Sequence, residues 1–140
     1  MTPTKNLVVP GEPKAKARPF VTNHHTFTPK PTMMYENYIK TLWLSAHGSS
    51  NDYTGSISLK VIACMTIPSS ASKKKKVLMT EGTIKPTKRP DLDNIIKIVK
   101  DALNGIAWKD DSQVVELHGY KQYSQTPRLE IYIYYLEELK

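Results

Sequence analysis

The sequence contains a single cysteine, no long apolar run, and few acidic residues for the number of its basic ones. A lone cysteine, Cys64, excludes an internal disulfide and is expected in a protein of a reducing compartment. No apolar stretch approaches the roughly 20 residues that cross a bilayer, which excludes a transmembrane helix. The first residues, Met1–Lys5, lack the apolar core of a signal peptide. We therefore expect a cytoplasmic protein without a membrane partner.

The shortage of acidic residues gives the chain a formal net charge of +7, from 20 lysines and arginines against 13 aspartates and glutamates. Such a charge indicates an anionic partner, nucleic acid before an acidic membrane, although it is also found in basic proteins that have no such partner. The apolar content of 39% is near that of globular proteins. A length of 140 residues suits one domain, residues 1–140, and is too short for two independent cores.

The hydrophobic pattern predicts seven elements in the order strand, helix, strand, helix, helix, strand, strand. Strands are predicted over 6–9, 55–67, 113–123 and 128–136, and helices over 32–47, 73–79 and 91–105. The polar residues 124–127 are predicted to connect the last two strands as a hairpin.

Two basic segments are candidates for contact with phosphate groups. In the proline-rich stretch 10–20, cations stand at every second position, and an extended chain places such residues on one side. These cations are Lys14, Lys16 and Arg18. The second segment is the run Lys73, Lys74, Lys75 and Lys76. The alternative for the first segment is a solvated connector, and for the second a solvated helix face or a localisation signal.

Acidic residues are concentrated in one short window of the sequence, which could therefore form a metal site. Five of the 13 fall within 21 residues, namely Asp91, Asp93, Asp101, Asp110 and Asp111. A basic protein that gathers its carboxylates in this way is a candidate for a divalent-metal site that cuts a polyanion. Magnesium takes oxygen ligands and keeps several waters, so two or three carboxylates are a sufficient share from the protein.

The first two aspartates set a geometric condition for such a site. Residues two apart do not face each other within a helix, but they share a side in an extended segment. Asp91 and Asp93 can therefore reach one metal only if Asp91 precedes the helix and Asp93 stands at its very start. Pro90 favours this, because it biases Arg89 toward extended geometry. The alternative is that either aspartate only caps the helix.

Lys97 and one residue of a later aspartate pair could complete the candidate site. Lys97 lies four residues after Asp93 on the same helical face, where it makes either an ordinary ion pair or a fixed cation beside the scissile phosphate. One residue of the pair Asp110 and Asp111 could supply a third ligand, although turns favour aspartate in any case. Asp101 is interpreted as a surface residue.

These segments together resemble one known family. The matching residues are Arg89-Pro90-Asp91-Leu92-Asp93-Asn94, Lys97, Asp101-Ala102-Leu103-Asn104-Gly105 and Trp108-Lys109-Asp110-Asp111-Ser112-Gln113-Val114, with Pro10–Lys14 and Arg18-Pro19 near the start. They resemble the RusA family of Holliday junction resolvases, in its phage and prophage members, over nearly the whole chain. Pro90 occupies the position at which the best-known member has an arginine, and Arg89 stands one step earlier.

The resemblance implies a small mixed α/β (α+β) domain with a sheet of about four strands and packed helices, forming a homodimer. It implies a metal-dependent active site of Asp91, Asp93 and Asp111, with Lys97 also functionally important. It further implies a four-way DNA junction as substrate, in a bacterial or phage-infected cell. Mg²⁺ is the expected cofactor, with Mn²⁺ able to substitute, and the two basic segments together with Lys88 and Arg89 would hold the junction arms.

The sequence therefore predicts an enzyme that resolves four-way junctions by paired, magnesium-dependent phosphodiester hydrolysis. One alternative is a non-catalytic DNA-binding module whose aspartates are caps and turn residues. Another is a flap nuclease or a ribonuclease built on the same scaffold.

Overall fold

In the part of the chain that the structure describes, a four-stranded sheet and three helices make up most of the fold. The computed structural model describes residues 2–15, 20–21, 26–27, 30–49 and 51–137. The strands are β1 (Lys5–Pro10), β2 (Phe20–Val21), β3 (Thr26–Phe27), β4 (Ile57–Thr66), β5 (Val114–Ser124) and β6 (Arg128–Tyr135). The helices are α1 (Lys30–His47), α2 (Lys73–Glu81) and α3 (Leu92–Leu103). Among the described residues, no helix is long and apolar enough to span a bilayer.

The main sheet has the strand order β1-β6-β4-β5 and mixes both pairing directions. β6 is antiparallel to both of its neighbours, whereas β4 and β5 run parallel. The predicted mixed fold of about four strands with packed helices is therefore confirmed. The sequence did not predict β2 and β3, which pair with each other as a separate two-stranded sheet.

The predicted hairpin between the last two strands was wrong. β5 and β6 are not neighbours, because β4 lies between them. The chain crosses the end of β4 through residues 125–127, and Arg128 holds this connection by donating from Nη1 to Ser124 Oγ at 3.0 Å and to the Thr126 carbonyl at 2.8 Å. The mostly apolar strand β4 is paired on both sides, and most of its side chains are buried.

Alternation in β4 directs one row of side chains to the helices. Leu59, Val61 and Ala63 are fully buried there, next to Ile131 and Ile133 of β6. Two helices cover this face, and they pack on each other through apolar residues at helical spacing. From α1 these are Tyr35, Ile39 and Trp43, and from α3 they include Ile95, Val99 and Leu103.

Gly119 allows α3 to approach β5 closely. A Cβ atom at this position would lie 2.7 Å from Ile96 Cδ1 and 3.2 Å from Leu92 Cδ2. A larger residue at this position would make these two side chains shift. The first turn of α3 therefore lies directly against the middle of β5.

A polar network lies on the sheet face opposite the helices. Arg128 Nε donates to Glu130 Oε2 at 2.7 Å, and the Tyr132 hydroxyl donates to Glu130 Oε1. Burial alone would raise the pKa of Glu130, but the hydrogen bonds from Tyr132 and Arg128 and the charge of Arg128 outweigh it and lower that pKa. The same hydrogen bond, together with burial, raises the pKa of Tyr132 to about 12.

We expect this network to make the fold sensitive to acid. Because the folded state lowers the pKa of Glu130, its carboxylate stabilises the fold above an ordinary glutamate pKa of about 4.3 and loses this effect as the pH falls. A Glu130→Gln protein should lose about 1–3 kcal/mol of unfolding free energy at pH 7, and this difference from wild type should shrink toward pH 3. Urea unfolding across this range measures it. An equal difference at every pH would contradict the expectation, and Glu116→Gln on β5 serves as the control.

Candidate active site

Asp91 stands just before α3, and its carboxylate does not cap the helix. Its backbone is extended, with φ −71° and ψ 141°, and α3 begins at Leu92. The Asp91 carbonyl accepts the first helical hydrogen bond, from Ile95 N at 3.1 Å, but its side chain makes no capping hydrogen bond. The condition set from the sequence, Asp91 outside the helix and Asp93 in its first turn, is confirmed. Both aspartates are exposed, so their oxygens are open to a ligand.

The segment that leads into Asp91 is held by a lysine from β5. Lys121 Nζ donates to the Lys88 carbonyl at 2.7 Å and to the Pro90 carbonyl at 2.9 Å. The peptide bond between Arg89 and Pro90 is cis. Lys88 and Arg89 are both exposed beside this segment. No local pattern in the sequence pointed to Lys121, because the contact joins residues about thirty positions apart.

The two aspartates of the second motif have different environments. The Asp110 carboxylate caps a short 3-10 turn (Asp111–Gln113), accepting from Ser112 N at 2.9 Å and from the Ser112 hydroxyl. These hydrogen bonds lower the pKa of Asp110. Asp111 is half-buried, and its Oδ1 accepts from the indole N–H of buried Trp108 at 2.8 Å. An indole that orients a carboxylate in this way resembles the hydrogen-bonded support that metal ligands usually have.

Gln113 anchors this turn to the rest of the fold. Its Oε1 accepts from Lys109 N at 2.8 Å and from Asp110 N at 3.1 Å. Its Nε2 donates to the carbonyls of Tyr53 and Gly55, each at 3.1 Å. The amide thus binds four backbone groups, and it places the turn against the loop before β4. The sequence reasoning missed this residue, although Asp110 and Gln113 have the spacing of a capping box.

Asp91 and Asp111 lie toward opposite ends of the same helix–strand pair. The start of α3 is beside Gly119 and Lys121, whereas the turn with Asp111 comes before Val114. Val114 and Gly119 are separated by about 16 Å of extended strand. Among the described residues, no three His, Cys, Asp or Glu side chains meet in a group that could hold a metal ion. Asp91, Asp93 and Asp111 therefore do not form one ligand set within a single copy.

Comparison with known proteins identifies the relationship of this chain. A family model described as endodeoxyribonuclease RusA matches residues 10–134. The chain belongs to the RusA family. A relative named "Uncharacterized protein YqaN", from Bacillus subtilis (strain 168), is 41% identical over 133 residues, which are 91% of this chain and 93% of the relative. Membership of the RusA family implies a divalent-metal-dependent endodeoxyribonuclease that binds DNA junctions.

The donor chemistry of this RusA-family chain fits a hard divalent cation. Carboxylate oxygens are the ligands that Mg²⁺ and Mn²⁺ prefer. Asp91 and Asp93 offer theirs from the start of α3, and Asp111 keeps Oδ2 beside the oxygen that binds Trp108. Lys97 is exposed one turn after Asp93, as the spacing predicted. The assignment of these four residues to catalysis stays a prediction.

The predicted DNA-binding residues that the structure describes lie in three places, of which the segment with Lys88 and Arg89 before Asp91 is one. Lys14 is exposed after β1, whereas Lys16 and Arg18 fall outside the described residues. The four-lysine run forms the first turn of α2, where Ser72 Oγ accepts from Lys75 N at 3.2 Å. Cations are disfavoured at this end of a helix dipole. A run of four lysines there stabilises the helix less than acidic residues would. Its contact with DNA stays a prediction.

Proposed function

We propose that this protein resolves four-way DNA junctions as a homodimer that hydrolyses two symmetry-related strands in the presence of Mg²⁺ or Mn²⁺. The observation that carries the proposal is the position of Asp91 outside α3, with a carboxylate that caps nothing, in a chain of the RusA family. Asp91, Asp93 and Asp111 would hold the metal. A bound metal would supply an activated water and stabilise charge on the phosphate.

The remaining chemistry belongs to the basic side chains. Lys97, one turn after Asp93, can donate to a phosphate oxygen as negative charge develops on it. Lys88 and Arg89 stand directly before Asp91, where they can bind the phosphates that flank the cut. Lys14 and the run Lys73–Lys76 would contact the junction arms, together with Lys16 and Arg18. Such contacts position the backbone without reading sequence.

The edge of the sheet supports self-association. In the described part of the chain β5 pairs only with β4, which leaves one side of this 11-residue strand open. Its side chains include three exposed apolar or aromatic residues, Val115 at 60%, Leu117 at 49% and Tyr120 at 51%. A long apolar edge is a ready template for another strand, and proteins normally protect such edges. A second copy that pairs through its own β5 would cover it.

Pairing through β5 would also complete the metal site. Two-fold symmetry makes the paired strands antiparallel, so the start of one β5 lies beside the end of the other. Asp111 of the second copy would then approach Asp91 and Asp93 of the first, which a single copy keeps apart. Each dimer would have two such shared sites. A junction with nearly two-fold symmetry needs two strands cut, and two symmetry-related sites match that need.

The test is cleavage of a synthetic four-way junction by the wild-type protein, with and without Mg²⁺. We expect paired cuts in Mg²⁺ and none in a chelator. Duplex, flap and RNA substrates of matched length are assayed beside the junction. Equal cutting of plain duplex would overturn the resolvase assignment, and junction binding without any cleavage would favour the non-catalytic module.

Replacing Lys73–Lys76 by alanine should weaken junction binding. Alanine keeps helical propensity high, so α2 should still form. Binding should fall by about tenfold or more at moderate salt, and the salt slope should decrease by about 0.9 for each phosphate that the variant no longer binds. Fluorescence anisotropy at several salt concentrations measures both. A control with Lys5, Lys30, Lys40 and Lys60 replaced removes the same charge. Equal effects in the two proteins would mean that the run is only a solvated face.

A further inference from the structure

Lys121 differs from the lysines that surround the candidate site. Lys88, Lys97 and the first three residues of α2 are exposed, whereas Lys121 is half-buried. It shares a face of β5 with Gly119, two residues earlier, and therefore lies on the side of the strand that carries α3. Its ammonium donates to two backbone carbonyls, at 2.7 Å and 2.9 Å, and within the described residues it meets no carboxylate.

The position of these two carbonyls connects Lys121 to Asp91. The Pro90 carbonyl and the Asp91 amide belong to one planar peptide unit. A hydrogen bond that fixes this oxygen also fixes the orientation of the plane from which the Asp91 side chain departs. The second bond, to the Lys88 carbonyl, holds the chain two residues earlier. Together the two bonds hold the backbone from which the Asp91 side chain departs, just before α3.

We infer that Lys121 is a positioning residue for the metal site, acting through the backbone of residues 88–90 on the carboxylate of Asp91. The inference rests on the proposed function, because it concerns the same site. Without the lysine, the segment before α3 is free to move, and the Asp91 carboxylate no longer has a fixed position relative to Asp93. A ligand that is not held in place binds a metal less tightly.

The direction in which metal affinity changes when Lys121 is replaced distinguishes a positioning role from a purely electrostatic one. Removing a positive charge near carboxylates strengthens their attraction for a divalent cation. A Lys121→Met protein would therefore bind metal more tightly if only charge mattered. The positioning role requires the opposite result, because the loss of a group that orients a metal ligand typically costs about 10–100-fold in metal affinity.

The experiment measures Mn²⁺ binding directly, by the electron paramagnetic resonance signal of free Mn²⁺, in the full-length protein. We expect Lys121→Met to weaken Mn²⁺ binding about tenfold or more. Lys121→Arg, which retains a cation and several donors, should stay within about threefold of wild type. Lys60→Met is the matched control, since Lys60 is a half-buried lysine on the adjacent strand, on the opposite face of the sheet. It should bind Mn²⁺ like wild type.

Three further measurements compare these variants with wild type. They are junction cleavage, junction binding without divalent cation, and the melting temperature. Lys121→Met should bind junctions and melt like the Lys60→Met control, while it requires more Mg²⁺ for half-maximal cleavage. Mn²⁺ affinity equal to or tighter than wild type would overturn the inference. So would an equal loss in Lys121→Arg, or a loss of metal affinity matched by a loss of stability. A wild-type protein that neither binds Mn²⁺ nor cuts junctions would instead overturn the proposed function.

Discussion

An Asp93→Asn protein is expected to bind four-way junctions as tightly as wild type and to cut them about a thousandfold more slowly, or not at all. The substitution preserves the shape of the side chain but removes an anionic oxygen ligand from the start of α3. Metal-activated water and charge stabilisation contribute several kcal/mol to such reactions, and each 1.36 kcal/mol is about tenfold in rate. Single-turnover cleavage of a labelled junction in Mg²⁺ measures the loss.

The matched control for this result is Asp101→Asn. Asp101 lies on the same helix as Asp93, about two turns later, so both variants change one charge of α3. The control should cut junctions at the wild-type rate. Binding is compared in the absence of divalent cations, so that it does not depend on the metal. Cleavage by Asp93→Asn at the wild-type rate would remove the basis of the metal-site proposal.

Mixing two inactive variants should restore cleavage if the site is shared between copies. Asp93→Asn and Asp111→Asn are each expected to be inactive alone. In a mixed dimer, one site contains both substitutions and the other contains neither, because each site takes Asp93 from one copy and Asp111 from the other. Random exchange makes half of the dimers mixed, with one intact site each, so about a quarter of the wild-type sites return. The products should be junctions nicked in one strand.

A site confined to one copy predicts no restoration, since every copy in the mixture carries a defect. The mixing experiment therefore distinguishes shared from separate sites while leaving the chemistry unchanged. A variant that introduces a charge on the open edge of β5 is the control for pairing through this strand. Leu117→Lys should prevent dimer formation and abolish the restored activity, and its mass in solution shows whether it is monomeric. Restoration in a monomeric Leu117→Lys background would contradict pairing through β5.

Much of the fold could be predicted because its signals are local. The alternation of apolar residues in β4 can be seen within that one segment of sequence. The same is true of the helical spacing of apolar residues in α1 and α3. Pro90 also biases its predecessor Arg89 away from helical geometry, so the sequence predicted that α3 begins after the proline. Local physics of this kind predicted the kinds of element and the start of α3.

Contacts between distant segments could not be predicted in the same way. The sequence places β5 and β6 three residues apart, but the apolar strand β4 separates them in the sheet. The roles of Lys121 and Gln113 depend on backbone groups that other segments present. Likewise, the number of residues between Asp91 and Asp111 does not determine how far apart the two side chains lie in the folded protein. α3 and β5 run in opposite directions, and this alone moves the two carboxylates apart.

The position of β6 has a consequence for the order in which the protein can be assembled during synthesis. β6 lies between β1 and β4, yet it follows both of them in the chain. β1 therefore emerges from the ribosome without a partner in the sheet and waits until nearly all other elements have been made. Pairings of such long sequence separation form slowly, because the chain must close a large loop first. A nascent chain that stops at β5 has no complete sheet, so nuclease activity should appear only after β6 has been released and inserted.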